Sequence, residues 1–253
     1  MKKNLLLTLF FTCTMHTCFA QALKQEYQTD INIFIGHLIN DNSKELAKII
    51  SYPLKRDYPI PDVKNQQEFI LRYNQIFDDS LKRIIIGSDA ARDWDEVGWR
   101  GIMLYSGTVW IDTDGKITAI NYQSKAEKEL KKKLIEADKN KLHSSVVNFA
   151  EPVYILETSK FRIRIDQLST GDYRYASWPI TKSMSESPDL VLNNGKVIMD
   201  GSGGNHRFQF KTGVYMYECS ISPLREKDAS PADLRVYKNG KVILSQDAIL
   251  INP

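Results

Sequence analysis

WRGIMLYSGTVWIDTDGKITAINY, residues 99–122, decides how the first half of the chain folds. Its apolar residues recur at every second position, and Ser106-Gly107 and Thr113-Asp114-Gly115 interrupt the pattern with turn chemistry. That combination predicts a three-stranded antiparallel meander. A two-residue loop at Ser106-Gly107 sets Leu104 opposite Val109 and Ile102 opposite Ile111. A three-residue loop at the second turn sets Ile111 opposite Ile117 and Val109 opposite Ala119. One face is then aliphatic (Ile102, Leu104, Val109, Ile111, Ile117, Ala119). The other carries Trp99, Met103, Tyr105, Trp110, Ile120 and Tyr122. A sheet apolar on both faces needs two covers. Helices supply one, and a ligand, a partner or the rest of the chain the other.

The helices precede it. Ile31, Phe34, Ile35 and Leu38 follow the stripe of an amphipathic helix, with Asp30 as its N-cap. Asn42 with Glu45, and Asn65 with Glu68, form capping boxes for a second and a third helix. Tyr52-Pro53-Leu54 breaks the run between them, because Pro53 pushes Tyr52 out of the helical region. The third stripe is Phe69, Tyr73, Ile76 and Phe77.

C-terminal to the meander, residues 124–142 hold seven lysines interspersed with Glu127, Glu129, Glu136 and Asp138. Glu127–Lys131, Glu129–Lys133 and Lys132–Glu136 are helix-supporting i, i+4 pairs, which predicts a solvated connecting helix. Beyond it, short alternating segments punctuated by Gly171, Gly195, Gly213 and Gly240 predict an all-β half, a small sandwich or barrel. Asn194-Gly195 and Asn239-Gly240 both read as hairpin turns, which accounts for the likeness of residues 191–198 to 236–243 without a duplicated module.

The first half resembles the nuclear-transport-factor-two-like, SnoaL-type superfamily. The residues carrying the resemblance are Ile50-Ser51-Tyr52-Pro53-Leu54, Glu68-Phe69-Ile70, Gly101-Ile102-Met103-Leu104 with Gly107, Val109-Trp110-Ile111, and Ile117 with Ala119-Ile120-Asn121. It implies an α+β cone of three helices on a curved antiparallel sheet, with a mouth that serves enzymes and non-catalytic binding modules alike. The Tyr-rich second half resembles the small β-barrel lysozyme inhibitors of the bacterial envelope. Those enter an enzyme cleft with a Ser-Gly-rich loop, for which Gly201-Ser202-Gly203-Gly204-Asn205 is the matching segment. The expected layout is a leader over 1–20, an α+β domain over 21–123, a charged helix over 124–144 and a β-rich domain over 145–253.

Residues 1–20 have the form of a secretory signal peptide. Lys2 and Lys3 precede an apolar run, and Cys18-Phe19-Ala20 sets up cleavage after Ala20. Met15-His16-Thr17 before Cys18 does not match a lipoprotein anchor signal. Removing the leader takes Lys2 and Lys3 from 34 basic residues and leaves 32 against 31 acidic ones. That balance lacks the basic footprint of a nucleic-acid binder. Cys219 becomes the only thiol, with no partner for an intramolecular disulfide, and alternation gives it the part of a small buried hydrophobe. The expected compartment is the periplasm or the exterior.

No catalytic signature emerges. Gly201 to His206 is followed by a strand rather than a helix, so it is not a phosphate loop, and a Gly-x-Ser-x-Gly elbow is lacking. His37, His143 and His206 are scattered along the chain, which sets up no zinc site, and no motif calls for a cofactor. Trp94, Asp95, Trp99, Arg100, Trp110 and Tyr122 form the candidate small-molecule site, with indole walls and orienting polar groups. Tyr175 and Trp178, with Arg162, Arg164 and Arg174 nearby, have the composition of a protein-contact surface. Ser202, Asn205 and His206 are the expected partner-contact residues of the glycine loop, with Ser202 and Asn205 facing solvent at its tip. The expectation is an exported, non-enzymatic binding protein, an inhibitor or immunity factor. The alternative is an enzyme, isomerase or hydrolase, acting on an apolar small molecule in the cone. The partner is then a protein or a small apolar ligand, with no nucleic acid and no transmembrane segment.

Overall fold

The computed structural model describes residues 23–201 and 203–251, so the expected leader and Ser202 lie outside the described residues. Among these residues the chain forms five α-helices, a four-stranded antiparallel sheet and a closed eight-stranded antiparallel barrel. None of the helices is long and apolar enough to cross a membrane.

Four helices come first, one more than expected: α1 (Gln25–Ile39), α2 (Ser43–Ile49), α3 (Gln66–Ile76) and α4 (Asp79–Ile86). Asn42 and Asn65 cap α2 and α3, their side chains accepting from the backbone N–H of Glu45 and Glu68, while the carboxylates of those glutamates accept from Lys48 Nζ and the Lys64 N–H rather than completing the boxes. Asp30 is not an N-cap. Helix α1 starts more than a turn earlier because Tyr27 extends the buried stripe of Ile31, Phe34 and Leu38. The unforeseen α4 is capped by Asp78, which accepts from the N–H groups of Ser80 and Leu81, and it buries Leu81 and Ile85.

The sheet runs in order β1 (Trp94–Glu96), β2 (Ile102–Leu104), β3 (Val109–Ile111), β4 (Ile117–Ile120). Leu104 opposes Val109, Ile102 opposes Ile111 and Ile111 opposes Ile117, as the turn spacing predicts. A bulge after Trp110 then pairs Val109 with Ile120, so Ile120 joins the buried aliphatic face in place of Ala119. Residues 99–101 are not strand. Gly98–Arg100 is a 3-10 turn that ends at Gly101, whose φ of 86° and close approach to the Ile111 carbonyl exclude any side chain. The helices cover one face of this sheet. The other, with Met103, Trp110 and Ala119, is half-exposed.

Helix α5 (Lys125–Lys139) is no solvated connector. Glu127, Lys131 and Ile135 form a buried stripe on it. Arg56 donates from Nε to Glu127 at 2.8 Å, makes a second, shorter contact with its other oxygen, and caps the carbonyls of Ile120 and Tyr122 at 2.6 Å each. Lys131 bridges Asp57 at 3.0 Å and Glu151 at 2.9 Å, which ties the helical layer to the start of the barrel.

The barrel is an up-and-down meander: β5 (Glu151–Thr158), β6 (Phe161–Gln167), β7 (Tyr173–Pro179), β8 (Leu190–Met199), β9 (His206–Thr212), β10 (Tyr215–Ile221), β11 (Ala232–Lys238) and β12 (Lys241–Leu250). Each strand pairs with the next, and β12 closes on β5 from Ala248–Thr158 to Leu250–Leu156. Closure removes every edge. Asn239-Gly240 is the hairpin turn expected, with both residues at positive φ. Asn194-Gly195 is not. It sits inside the continuous β8 at a shift of register against β7. The reason lies across the barrel wall, where a Cβ on Gly195 would stand 2.1 Å from the Phe210 ring. Gly195→Ala should therefore destabilise the barrel by about 1–3 kcal/mol through overpacking, measured by chemical unfolding. Adding Phe210→Leu should recover part of that loss, and purely additive effects would refute the clash.

Candidate functional site

Period-two alternation puts one face of each barrel strand inside. The turns joining β6–β7, β8–β9 and β10–β11 lie at one end and those joining β5–β6, β7–β8, β9–β10 and β11–β12 at the other. Aromatic rings fill the first end. Tyr173 packs on Phe208 with centroids 4.9 Å apart, and His206 stands 5.7 Å from Tyr154 and 5.5 Å from Phe208.

The other end is open. A cavity of about 270 Å³ enters the barrel there, between Phe161, Tyr175, Leu190, Tyr217, Val236 and Leu244. Its inner limit is the Tyr175 ring, which packs on Phe210 at 5.5 Å and on Tyr217 at 5.6 Å. Burial pushes the Tyr175 phenol far above its ordinary range, so it is a neutral wall. Cys219 is wholly buried in the barrel core, and desolvation likewise drives its thiol well up, which excludes a reactive thiolate and fits the small hydrophobe read from the sequence. Asp189 is the one charged residue lining the cavity, and Lys182 Nζ meets its Oδ1 at 2.8 Å on the outer side. The arrangement offers apolar and aromatic walls, the Ser177 hydroxyl bonded to the Tyr175 phenol, and a single carboxylate.

The expected indole site is not assembled. Trp94 is buried on the helix side of the sheet, its Nε1 donating to Ser88 Oγ at 3.1 Å. Asp95 is exposed on β1. Trp99 projects from the 3-10 turn, 79% exposed. Arg100 lies over the Trp110 ring at 5.1 Å, the one contact within the group. Tyr122 points elsewhere, donating to Asp78 Oδ1 at 3.0 Å, and burial followed by the Asp78 carboxylate raises its phenol. The space between helices and sheet is filled by Phe34, Phe69, Tyr73 and Phe77, and among the described residues no Asp or His is buried in it.

The expected contact surface is corrected as well. Tyr175 faces the barrel interior, and Trp178 is fully buried under residues 142–149, its Nε1 donating to the Glu186 carbonyl at 2.8 Å. Arg164 and Arg174 are buried in an ion network. Asp166 accepts from Arg164 Nε at 2.7 Å and from Arg174 Nη2 at 2.6 Å, and Arg164 also reaches Asp138 of α5 at 2.6 Å. The Phe149 ring lies against both guanidinium groups. Asn205 does not project as a recognition tip. It is half-buried and clamps residue 224, donating to the Leu224 carbonyl and accepting from its N–H, both at 2.9 Å. His206 belongs to the filled end of the barrel, and Ser202 lies outside the described residues.

Sequence reasoning missed the cavity although its signal was present. Phe161, Tyr175, Tyr217, Val236 and Leu244 all occupy inward positions of their strands, which registering the hairpins end to end would have collected. No group of His, Cys, Asp and Glu able to hold a metal stands among the described residues. No family model, curated protein or solved structure matches the chain, so its own geometry carries the functional argument.

Proposed function

We propose that this chain is an exported, non-enzymatic binding protein whose barrel mouth takes one small apolar group. The observation that carries this is the 270 Å³ cavity lined by inward-facing apolar and aromatic residues at one end of the barrel. An eight-stranded barrel is just wide enough for its side chains or for one small ligand. Apolar concave walls with few polar groups are the usual composition of a small-molecule site. Export rests on the charged start, apolar run and Ala20 cleavage pattern of the leader. On this reading the first half is a nuclear-transport-factor-two-like scaffold, supported by its order of helices followed by short antiparallel strands. Its apolar filling gives the enzyme alternative no support. The inhibitor role loses its aromatic surface, because Tyr175 and Trp178 are buried, and in the glycine loop Asn205 is engaged with Leu224 while Ser202 lies outside the described residues.

Titration with the neutral apolar fluorophore N-phenyl-1-naphthylamine tests the proposal. Saturable one-site enhancement is expected. Leu244→Trp, which fills the mouth from a half-buried position, should weaken binding at least about tenfold without lowering the melting temperature. Trp99→Ala should leave binding unchanged. Equal affinity in wild type and Leu244→Trp, or loss in Trp99→Ala, would place the ligand elsewhere.

A further inference from the structure

Resting on the barrel-mouth reading, we infer that the preferred ligand of this cavity is an organic cation, an amphiphile with a quaternary or tertiary ammonium group. Three inward aromatic rings, Phe161, Tyr175 and Tyr217, stand around the space, and its one charged lining residue is a carboxylate, Asp189. Aromatic faces carry negative potential, so a ring-lined site attracts a weakly hydrated cation more than it attracts an apolar group of the same shape. A carboxylate at the rim adds to that preference and opposes an anionic head.

Size points the same way. At about 270 Å³ the cavity is just below the roughly 300–1,000 Å³ of sites that enclose drug-sized molecules. It suits a compact head group with a short apolar tail.

Lys182 is the competing feature. Its ammonium meets Asp189 Oδ1 at 2.8 Å, and no other ion pair to this carboxylate exists among the described residues. Both side chains are partly exposed, 29% for Lys182 and 56% for Asp189, so the pair is a weak one that a bound cation can share or displace. Lys182 therefore limits affinity for a cation and Asp189 creates it. Opposite effects are expected on removing each.

Calorimetric titration of the mature chain with octyltrimethylammonium, octanoate and the neutral isostere 2,2-dimethyldecane tests this, the last in dilute co-solvent applied to all three. The cation should bind about tenfold or more tightly than the neutral isostere, as desolvated cation–aromatic contact predicts, and octanoate more weakly still. Asp189→Asn should lower affinity for the cation severalfold and leave the neutral isostere unchanged, and Lys182→Met should raise affinity for the cation. Circular dichroism of both variants checks that the fold is kept, as expected for partly exposed positions. Equal binding of cation and neutral isostere, or no response to either substitution, overturns the cation inference and leaves the barrel-mouth reading standing. Failure of the cation, the neutral isostere and N-phenyl-1-naphthylamine alike to bind wild-type protein overturns both.

Discussion

Glu127→Ala is expected to destabilise the protein by about 3–5 kcal/mol, the usual cost of stranding one member of a buried ion pair. The side chain of Glu127 is completely buried and that of Arg56 is 2% exposed. Without the carboxylate the guanidinium keeps only the Ile120 and Tyr122 carbonyls. Arg72, whose Nη2 lies 3.9 Å from Glu127 and is buried without a hydrogen bond, loses its nearest counter-charge as well. For a chain of this size, a loss of that magnitude lowers the melting temperature by roughly 10 °C. The double variant Arg56→Met with Glu127→Leu should recover most of it, because a well-packed apolar pair avoids the desolvation cost. Hydrogen exchange should show α5 opening first in Glu127→Ala. A fall in melting temperature of a degree or less would mean that α5 is not held by this pair.

Asp166→Ala should cost a similar amount for the same reason, with the damage on the barrel side. Asp166 and Arg164 are fully buried, and Arg174 nearly so. Asp166 is the one carboxylate bonded to both arginines. Its removal leaves two like charges against one Phe149 ring, with Asp138 to serve Arg164 and only the Val146 and Asn148 carbonyls to serve Arg174. About 3–5 kcal/mol of destabilisation is expected by denaturant unfolding. The triple change Arg164→Met, Asp166→Leu, Arg174→Leu should be far less harmful than Asp166→Ala alone. If the triple variant is the worse of the two, the network contributes more than mutual neutralisation and this account of it is wrong.

These two networks also show where the sequence was legible. Local chemistry could be read directly. The Asn42 and Asn65 caps depend on residues three apart, and the Ile102–Ile111 register depends on one turn. The helix α4 signal, Asp78 followed by Leu81, Ile85 and Gly87, is of the same kind. What escaped were features decided by distant partners. Glu127, Lys131 and Ile135 recur every four residues, a buried stripe that resembles solvated i, i+4 pairing until Arg56, Asp57 and Glu151 arrive to neutralise it. Arg164 and Arg174 do line an interface, as their company with aromatic residues suggested, but the partner is the chain's own helix and loop. Asn194-Gly195 carries hairpin chemistry, yet the glycine is there for Phe210 of the neighbouring strand. The candidate indole site failed because the 3-10 turn ending at Gly101 breaks the chain between β1 and β2, which throws Trp99 outward. The cavity residues were visible singly as inward positions, and only closure of β12 on β5 brings them round one mouth.

The most direct test of the binding claim is methyl-detected NMR of residues 21–253 titrated with N-phenyl-1-naphthylamine. Saturable shifts should concentrate at Leu190, Leu234, Val236, Ile243 and Leu244, the methyl-bearing residues around the open end of the barrel. Ile102, Leu104 and Ile111 of the sheet and Ile221 near the filled end should stay in place. Shifts centred on the sheet or the filled end, or none at saturating probe, would contradict the assignment of the barrel mouth as the binding site.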